Sequence, residues 1–192
     1  MPADSPSKRL FFAVWPPAER IPTISRTSPP LFSVTGGRLI PPENFHVTLL
    51  FLGSVENSTQ EQLCRAVDKI NERAFTLSFT RRDVWKNGIA SLRCDAAPEA
   101  LLQLHLQLKA AAKETGIVVE ERPYLPHITL IRRANVANWA GQNGALAHLE
   151  TPINWEVNEF SLVSSESDAS TSDTDNPGSI YRILRRWTLT TT

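Results

Sequence analysis

Apolar residues recur at every second position in some stretches and every third or fourth in others, and these changes of period divide the sequence into strands and helices. One pattern occurs twice. Phe45-His46-Val47-Thr48-Leu49-Leu50-Phe51 and Pro126-His127-Ile128-Thr129-Leu130-Ile131-Arg132 each read histidine, β-branched aliphatic, threonine, then apolar residues. Successive side chains of a strand point to opposite faces, so His46 and Thr48 share one face, as do His127 and Thr129. Val47 and Leu49, or Ile128 and Leu130, then point into a core. Such a strand is buried on one side and lines something wet on the other. Its repetition suggests duplicated halves that pool two imidazoles in one cleft.

The remaining pattern fills in around these motifs. Residues 1–7 are small and polar and predict a frayed terminus. Lys8 to Trp15 reads as a buried strand stopped by Pro16-Pro17, and Ala18 to Arg26 as a short helix. Ser28-Pro29-Pro30 and Gly36-Gly37 predict a loop, and Gly53 the end of the first motif strand. Leu63, Val67 and Ile70 fall at helical spacing within a helix from Asn57 or Ser58 to about Glu72, with Ser58 and Glu61 placed as a capping box. Phe75 to Phe79 and Trp85 to Cys94 alternate as strands about an Asn87-Gly88 turn. Leu101, Leu104, Leu108 and Ala112 form the stripe of a second helix, opened by Pro98 and closed by Gly116. Ile117 to Glu120 predicts a short strand. Asn135 to Glu150 is weakly patterned, Ile153 to Val163 alternates, and Ile180 to Leu189 predicts the last strand. Ser164 to Ser179 is rich in Ser, Asp and Thr and predicts a mobile hairpin loop. The order describes one α+β domain over residues 1–192, built on antiparallel sheets.

Composition narrows the function. The chain has 192 residues, 41% hydrophobic and 21% charged, with formal net charge zero. Whole-chain charge therefore does not announce a nucleic-acid binder, and any anion site must be local. Cys64 and Cys94 lack metal spacing and read as buried free thiols of a reducing compartment. Leu10 to Trp15, an early apolar run, is too short to span a bilayer or serve as a signal segment, so the expected location is cytoplasmic.

A lone histidine in a strand is usually a hydrogen-bonded structural residue. Here two of the chain's four histidines occupy matching positions 81 residues apart (127 − 46), and the threonine recurs with each. Each hydroxyl can donate to an oxyanion held between the imidazoles. Two histidines and two hydroxyls, with no carboxylate or cysteine at matching spacing, suit phosphoester cleavage by a general acid and a general base. Ordinary imidazoles titrate near 6.5, so both protonation states are available around neutrality. In-line displacement at phosphorus places attacking and leaving oxygens on opposite sides, where two facing strands would put them. The residues alone leave open which histidine is acid and which is base.

These two segments resemble the paired H-x-T-x motifs of the 2H phosphoesterases, and more closely the bacterial and archaeal RNA 2′,3′-cyclic phosphodiesterases once called 2′-5′ RNA ligases. Arg9-Leu10-Phe11-Phe12-Ala13-Val14 and Tyr181 to Leu189 share the likeness, which runs from about residue 8 to the C-terminus. The resemblance implies a bilobal fold of two pseudo-twofold-related antiparallel sheets lining a central cleft, with helices outside and no metal or other cofactor. It implies hydrolysis of an RNA or nucleoside 2′,3′-cyclic phosphate to a 2′-phosphate by a monomer, with 2′-5′ ligation as the reverse. His46 would be the proton donor and His127 the proton acceptor. Thr48 and Thr129 would hold the phosphate, and Phe51 and Arg132 would contact the nucleotide.

Phe51 and Arg132 each lie five residues beyond their histidine, an odd offset that turns a regular strand's side chain off the histidine face. A bulge or a strand end must intervene for either to reach a ligand. Some relatives carry basic residues before the last strand, where this chain has Glu166, Asp168, Asp173 and Asp175; a solvated linker is the expectation for them. His105 and His148 show no partner, the five tryptophans read as core or interface, and Arg81-Arg82, Arg132-Arg133 and Arg185-Arg186 could form a basic rim. No Walker-type or G-x-G-x-x-G loop occurs. Two rivals stand beside the hydrolase: a module that binds cyclic or 2′-phosphate RNA ends without turnover, and a metal hydrolase with the histidines as ligands. The lack of Asp or Glu in either motif weighs against the second rival.

Overall fold

The computed structural model describes residues 7–139, 146–168 and 178–191. Strand β1 (Ser7–Val14) is followed by short helices α1 (Ile21–Ser25) and α2 (Ser28–Thr35) and by the two-residue strand β2 (Arg38–Leu39). Next come β3 (Val47–Glu56), helix α3 (Asn57–Val67), β4 (Phe75–Val84), β5 (Ala90–Arg93) and helix α4 (Glu99–Glu114). The chain continues as β6 (His127–Arg132), α5 (Val136–Trp139), β7 (His148–Val157), β8 (Glu159–Asp168) and β9 (Gly178–Thr188). The α+β class is as the sequence predicts.

The strands join in one sheet, in the order β7-β4-β5-β6-β3-β1-β8-β9, with β2 added against β6. Where two sheets are expected, the structure has one, with the motif strands side by side in its middle. The seam between them is narrow: β3 and β6 pair antiparallel at Val47 and Ile128. Four strands lie on each side of it, β3-β1-β8-β9 and β6-β5-β4-β7.

Helices α3 and α4 pack on each other and on β3. Leu63 and Val67 of α3 and Leu101, Leu104 and Leu108 of α4 are fully buried, at the apolar spacing expected. Each contributes roughly 1.5–3 kcal/mol of transfer free energy. Val47, Leu49, Ile128 and Leu130 join this core, so the motif strands bury the face the sequence assigns to burial.

Several local expectations are corrected. The Ser28-Pro29-Pro30 stretch starts α2, because prolines at the first helical positions forgo amides that have no partner there. Helix α3 has Glu56 at its N-cap with no side-chain cap, so the Ser58–Glu61 box does not form, and it ends at Val67. Gly53 does not close β3; at φ +73° it sits in an irregularity, and the strand runs on to Glu56. Residues 117–120 form no strand. His148 opens β7, opposite Arg81. Ser7 belongs to β1, and residues 164–168 and 178–179 are paired β8 and β9 backbone rather than loop. Residues 1–6 and 169–177, with Asp173 and Asp175, lie outside the described residues.

Candidate active site

The seam makes the site. In an antiparallel ladder through Val47 and Ile128, position 46 faces 129 and position 48 faces 127. Val47 and Ile128 are fully buried, while His46, Thr48, His127 and Thr129 lie on the other face and keep partial exposure. Both halves orient their imidazole alike. His46 Nδ1–H donates to the Asn44 carbonyl at 2.7 Å, and His127 Nδ1–H donates to the Leu125 carbonyl at 2.7 Å. A proton held on Nδ1 leaves Nε2 as the unprotonated nitrogen of each neutral ring, able to accept a proton. The Thr48 hydroxyl is 3.1 Å from His46 Nε2 and donates to it in this state.

The odd offset of Phe51 and Arg132 resolves into bulges. Along β1, Ala13 pairs with Thr48, Phe12 with Leu50, Phe11 with Phe51 and Leu10 with Gly53, so Leu49 and Leu52 are skipped. The slip at Leu49 returns Phe51 to the histidine face, where its ring lies 5.9 Å from that of Phe11 and it is 48% exposed. Along β5, Ser91 pairs with Thr129 and Ala90 with Ile131, so Leu130 is skipped and exposed Arg132 returns in the same way. Each bulge falls one residue beyond the threonine. A one-residue slip is what converts an odd offset into a shared face.

The surroundings of the two rings differ. His46 is packed by Phe11 (5.2 Å), Trp15 (5.4 Å, stacked) and Tyr181 (5.2 Å, edge-on). Burial among these rings, helped by the charges of His127 and Arg132 and opposed by the hydrogen bond to Asn44, holds its pKa down at about 4. His127 carries Trp85 at 4.4 Å. Burial again lowers its pKa, with help from the charges of Arg122, Arg93 and Arg132. Arg132 therefore acts on both imidazoles. Arg93, the strand partner of His127, is held by Asp83 at 2.5 Å. A cavity of about 300 Å³ opens beside Thr48 and His127, walled by Phe51, Trp85, His105 and Tyr124.

Sequence reading missed several of these residues. Trp15 and Trp85 flank the histidines rather than fill the core, and Tyr181 and Arg93 reach the site only through strand pairing that no local pattern reveals. His105 is not partnerless: its Nδ1–H donates to the Leu49 carbonyl at 2.8 Å, and its ring stacks on Tyr124. The basic rim is reduced too. Arg82 bonds the backbone carbonyls of Thr27 and Leu146, while Arg185 pairs with Asp68 and Arg186 with Glu159. Among the described residues no three His, Cys, Asp or Glu side chains gather where they could hold a metal ion. None of the described helices is long and apolar enough to cross a membrane.

The sequence matches the model of the LigT like Phosphoesterase family over residues 14–90 and 92–171, which spans both motifs and the seam between them. The chain belongs to this family. As a LigT-like phosphoesterase it is 31% identical to the RNA 2′,3′-cyclic phosphodiesterase of Escherichia coli K12, over 97% of this chain and 99% of that one. Its fold is similar to crystal structures of E. coli LigT. The structure complexed with 3′-AMP superposes with a TM-score of 0.83 at 29% identity, covering 96% of this chain and 99% of that one. The structure complexed with phosphate gives 0.79 at 28% identity, covering 97% and 99%.

Proposed function

We propose that this LigT-like phosphoesterase hydrolyses RNA or nucleoside 2′,3′-cyclic phosphates to 2′-phosphates, using His46 and His127 as paired general acid and base without a metal. The observation that carries this reading is the Val47–Ile128 pair, which sets two histidines with identically oriented rings on one face of the sheet. The E. coli relative named for this activity supports it.

His127 Nε2 takes a proton from water as the water oxygen bonds to phosphorus. The P–O3′ bond breaks on the opposite side, and protonated His46 gives its Nε2 proton to the departing 3′ oxygen. Thr48 and Thr129 donate to the phosphoryl oxygens, and the Arg132 charge offsets the charge that builds on them. Thr48 must leave His46 Nε2 as that ring takes up its proton. Phe51 offers a face for a base. In reverse, an RNA 5′-hydroxyl replaces water and a 2′-5′ linkage forms. The protein is expected to act as a cytoplasmic monomer.

The test is turnover of 2′,3′-cyclic AMP by His46→Ala and His127→Ala, followed as 2′-AMP formed. Each variant is expected to lose ~10²–10⁴ of kcat. Activity within about tenfold of the parent in both would overturn the assignment. Addition of EDTA is expected to change nothing.

A further inference from the structure

The backbone likeness between the halves breaks beside the two bulges. On the β6 side, Arg38 and Leu39 of β2 pair with Arg132 and Ile131, and the Ile40 amide donates to the Leu130 carbonyl at 2.8 Å. Gly37 permits this approach, since a Cβ there would lie 2.6 Å from the Arg132 carbonyl oxygen. Leu130 is the bulge residue of its half; Leu49 is its counterpart, 81 positions earlier (130 − 49). The same offset matches residues 38–40 with 119–121, and that segment forms no strand.

A side chain takes over its bond to the bulge residue, and a second side chain adds another beside it. The Leu49 carbonyl accepts from His105 Nδ1–H at 2.8 Å, the same length as the Ile40 bond on the other side. The Thr48 carbonyl accepts from the Tyr124 hydroxyl at 3.2 Å. The two rings lie 4.2 Å apart with planes 6° from parallel, so each fixes the other. With the backbone segment held off, the cavity beside His127 stands open.

We propose that His105 and Tyr124 are positioning residues. They hold the Leu49 carbonyl, whose counterpart Leu130 is held by a strand segment in the other half, and the Thr48 carbonyl beside it, and so set the place of Thr48 and His46 while keeping the space beside His127 open. The inference rests on the function proposed above. A bulge is a weak point in a ladder, since its extra residue has no strand partner. Without an anchor on Leu49, the backbone at Thr48 can slip, and a displacement of about 1 Å in a reacting site can cost on the order of 10²-fold in rate.

The experiment compares His105→Phe, which keeps an aromatic ring against Tyr124 but has no donor, with His105→Asn, whose amide nitrogen can stand near Nδ1. With 2′,3′-cyclic AMP as substrate, His105→Phe is expected to lower kcat about tenfold to hundredfold with little change in KM, and His105→Asn to recover most of it. Tyr124→Phe, which removes a single hydroxyl, is the second variant and is expected to lose a smaller part of kcat. Should His105→Phe fail to fold, Tyr124→Phe and His105→Asn decide the matter. A parental kcat per folded molecule in Tyr124→Phe, or equal kcat in His105→Phe and His105→Asn, overturns the proposal. Loss of turnover in His127→Ala with none in the His105 and Tyr124 variants sinks this inference alone. Turnover within about tenfold of the parent in both His46→Ala and His127→Ala sinks the function beneath it.

Discussion

Around His46 the wall is aromatic, made by Phe11, Trp15 and Tyr181, with Phe51 beyond. Around His127 a single ring, Trp85, is joined by the charges of Arg93 and Arg122. The backbone beneath is the same on both sides: an Nδ1–H bond to the carbonyl two residues back, a seam pair, a bulge after the threonine. The comparison separates two jobs. Repeated backbone places two nitrogens, and unrepeated side chains give them different surroundings, each of which lowers the proton affinity of its ring. A mechanism with an acid and a base needs the rings in opposite protonation states; burial leaves His46 neutral near pH 7, so the bound phosphate anion has to favour its proton before it can act as the acid.

The sharpest way to break this comparison is to strike the matched pair that differs most, Arg132 and Phe51. Arg132→Gln removes the charge that reaches both imidazoles and is expected to cost about 10²–10³ in kcat, as for loss of an oxyanion donor. Phe51→Ala removes a stacking face, worth about 1–3 kcal/mol per base, and should raise KM by roughly tenfold or more while kcat holds. Steady-state kinetics with 2′,3′-cyclic AMP separates the two. If both variants move the same constant by the same factor, the halves are not specialised in this way.

The motif strands, their buried face, both principal helices and the α+β class are legible in the sequence, because each is written in local periodicity. The four motif side chains are legible because the repeat exposes them. What escaped is what pairing decides. Phe51 could not be placed without the register of β1 against β3, since one skipped residue sets its face. Trp15, Tyr181 and Arg93 come to the histidines from just past β1 and from β9 and β5, far along the chain or across a turn. His105 looked like a polar residue on an amphipathic helix; only the bulge at Leu49 supplies the carbonyl it meets. The capping box and the 117–120 strand failed for a related reason. Local propensity predicts an element, and neighbours decide whether its bonds are needed.

A second test uses the lowered proton affinities of both rings. Both rings lie below the ordinary 6.5, His46 at about 4. The competent free enzyme carries one proton between them, so kcat/KM for 2′,3′-cyclic AMP should be bell-shaped with its maximum between about 4 and 6.5. The profile of kcat should sit at higher pH, because bound phosphate anion favours protonated imidazole. Trp15→Ala opens the aromatic wall to water and is expected to move the acid limb upward, by an amount on the order of half a unit to one unit, leaving the alkaline limb in place. A shift of the alkaline limb instead would assign the lower affinity to His127.

The smallest expected effect is on stability. Burial of His46 as the neutral ring means that the folded state binds a proton less readily than the unfolded chain. Its contribution is complete above the unfolded value of about 6.5 and is lost as pH falls toward 4. His127 is lowered as well, so its contribution has the same sign. Thermal unfolding followed by circular dichroism should therefore show a melting temperature that declines over this window. In His46→Gln, which cannot charge, that decline is expected to be shallower by a few degrees, and in His127→Gln by less. The order matters more than the size. Parallel curves for the parent and His46→Gln would mean that the aromatic wall does not exclude water from His46, and the contrast between the halves would then rest on Arg132 and Phe51 alone.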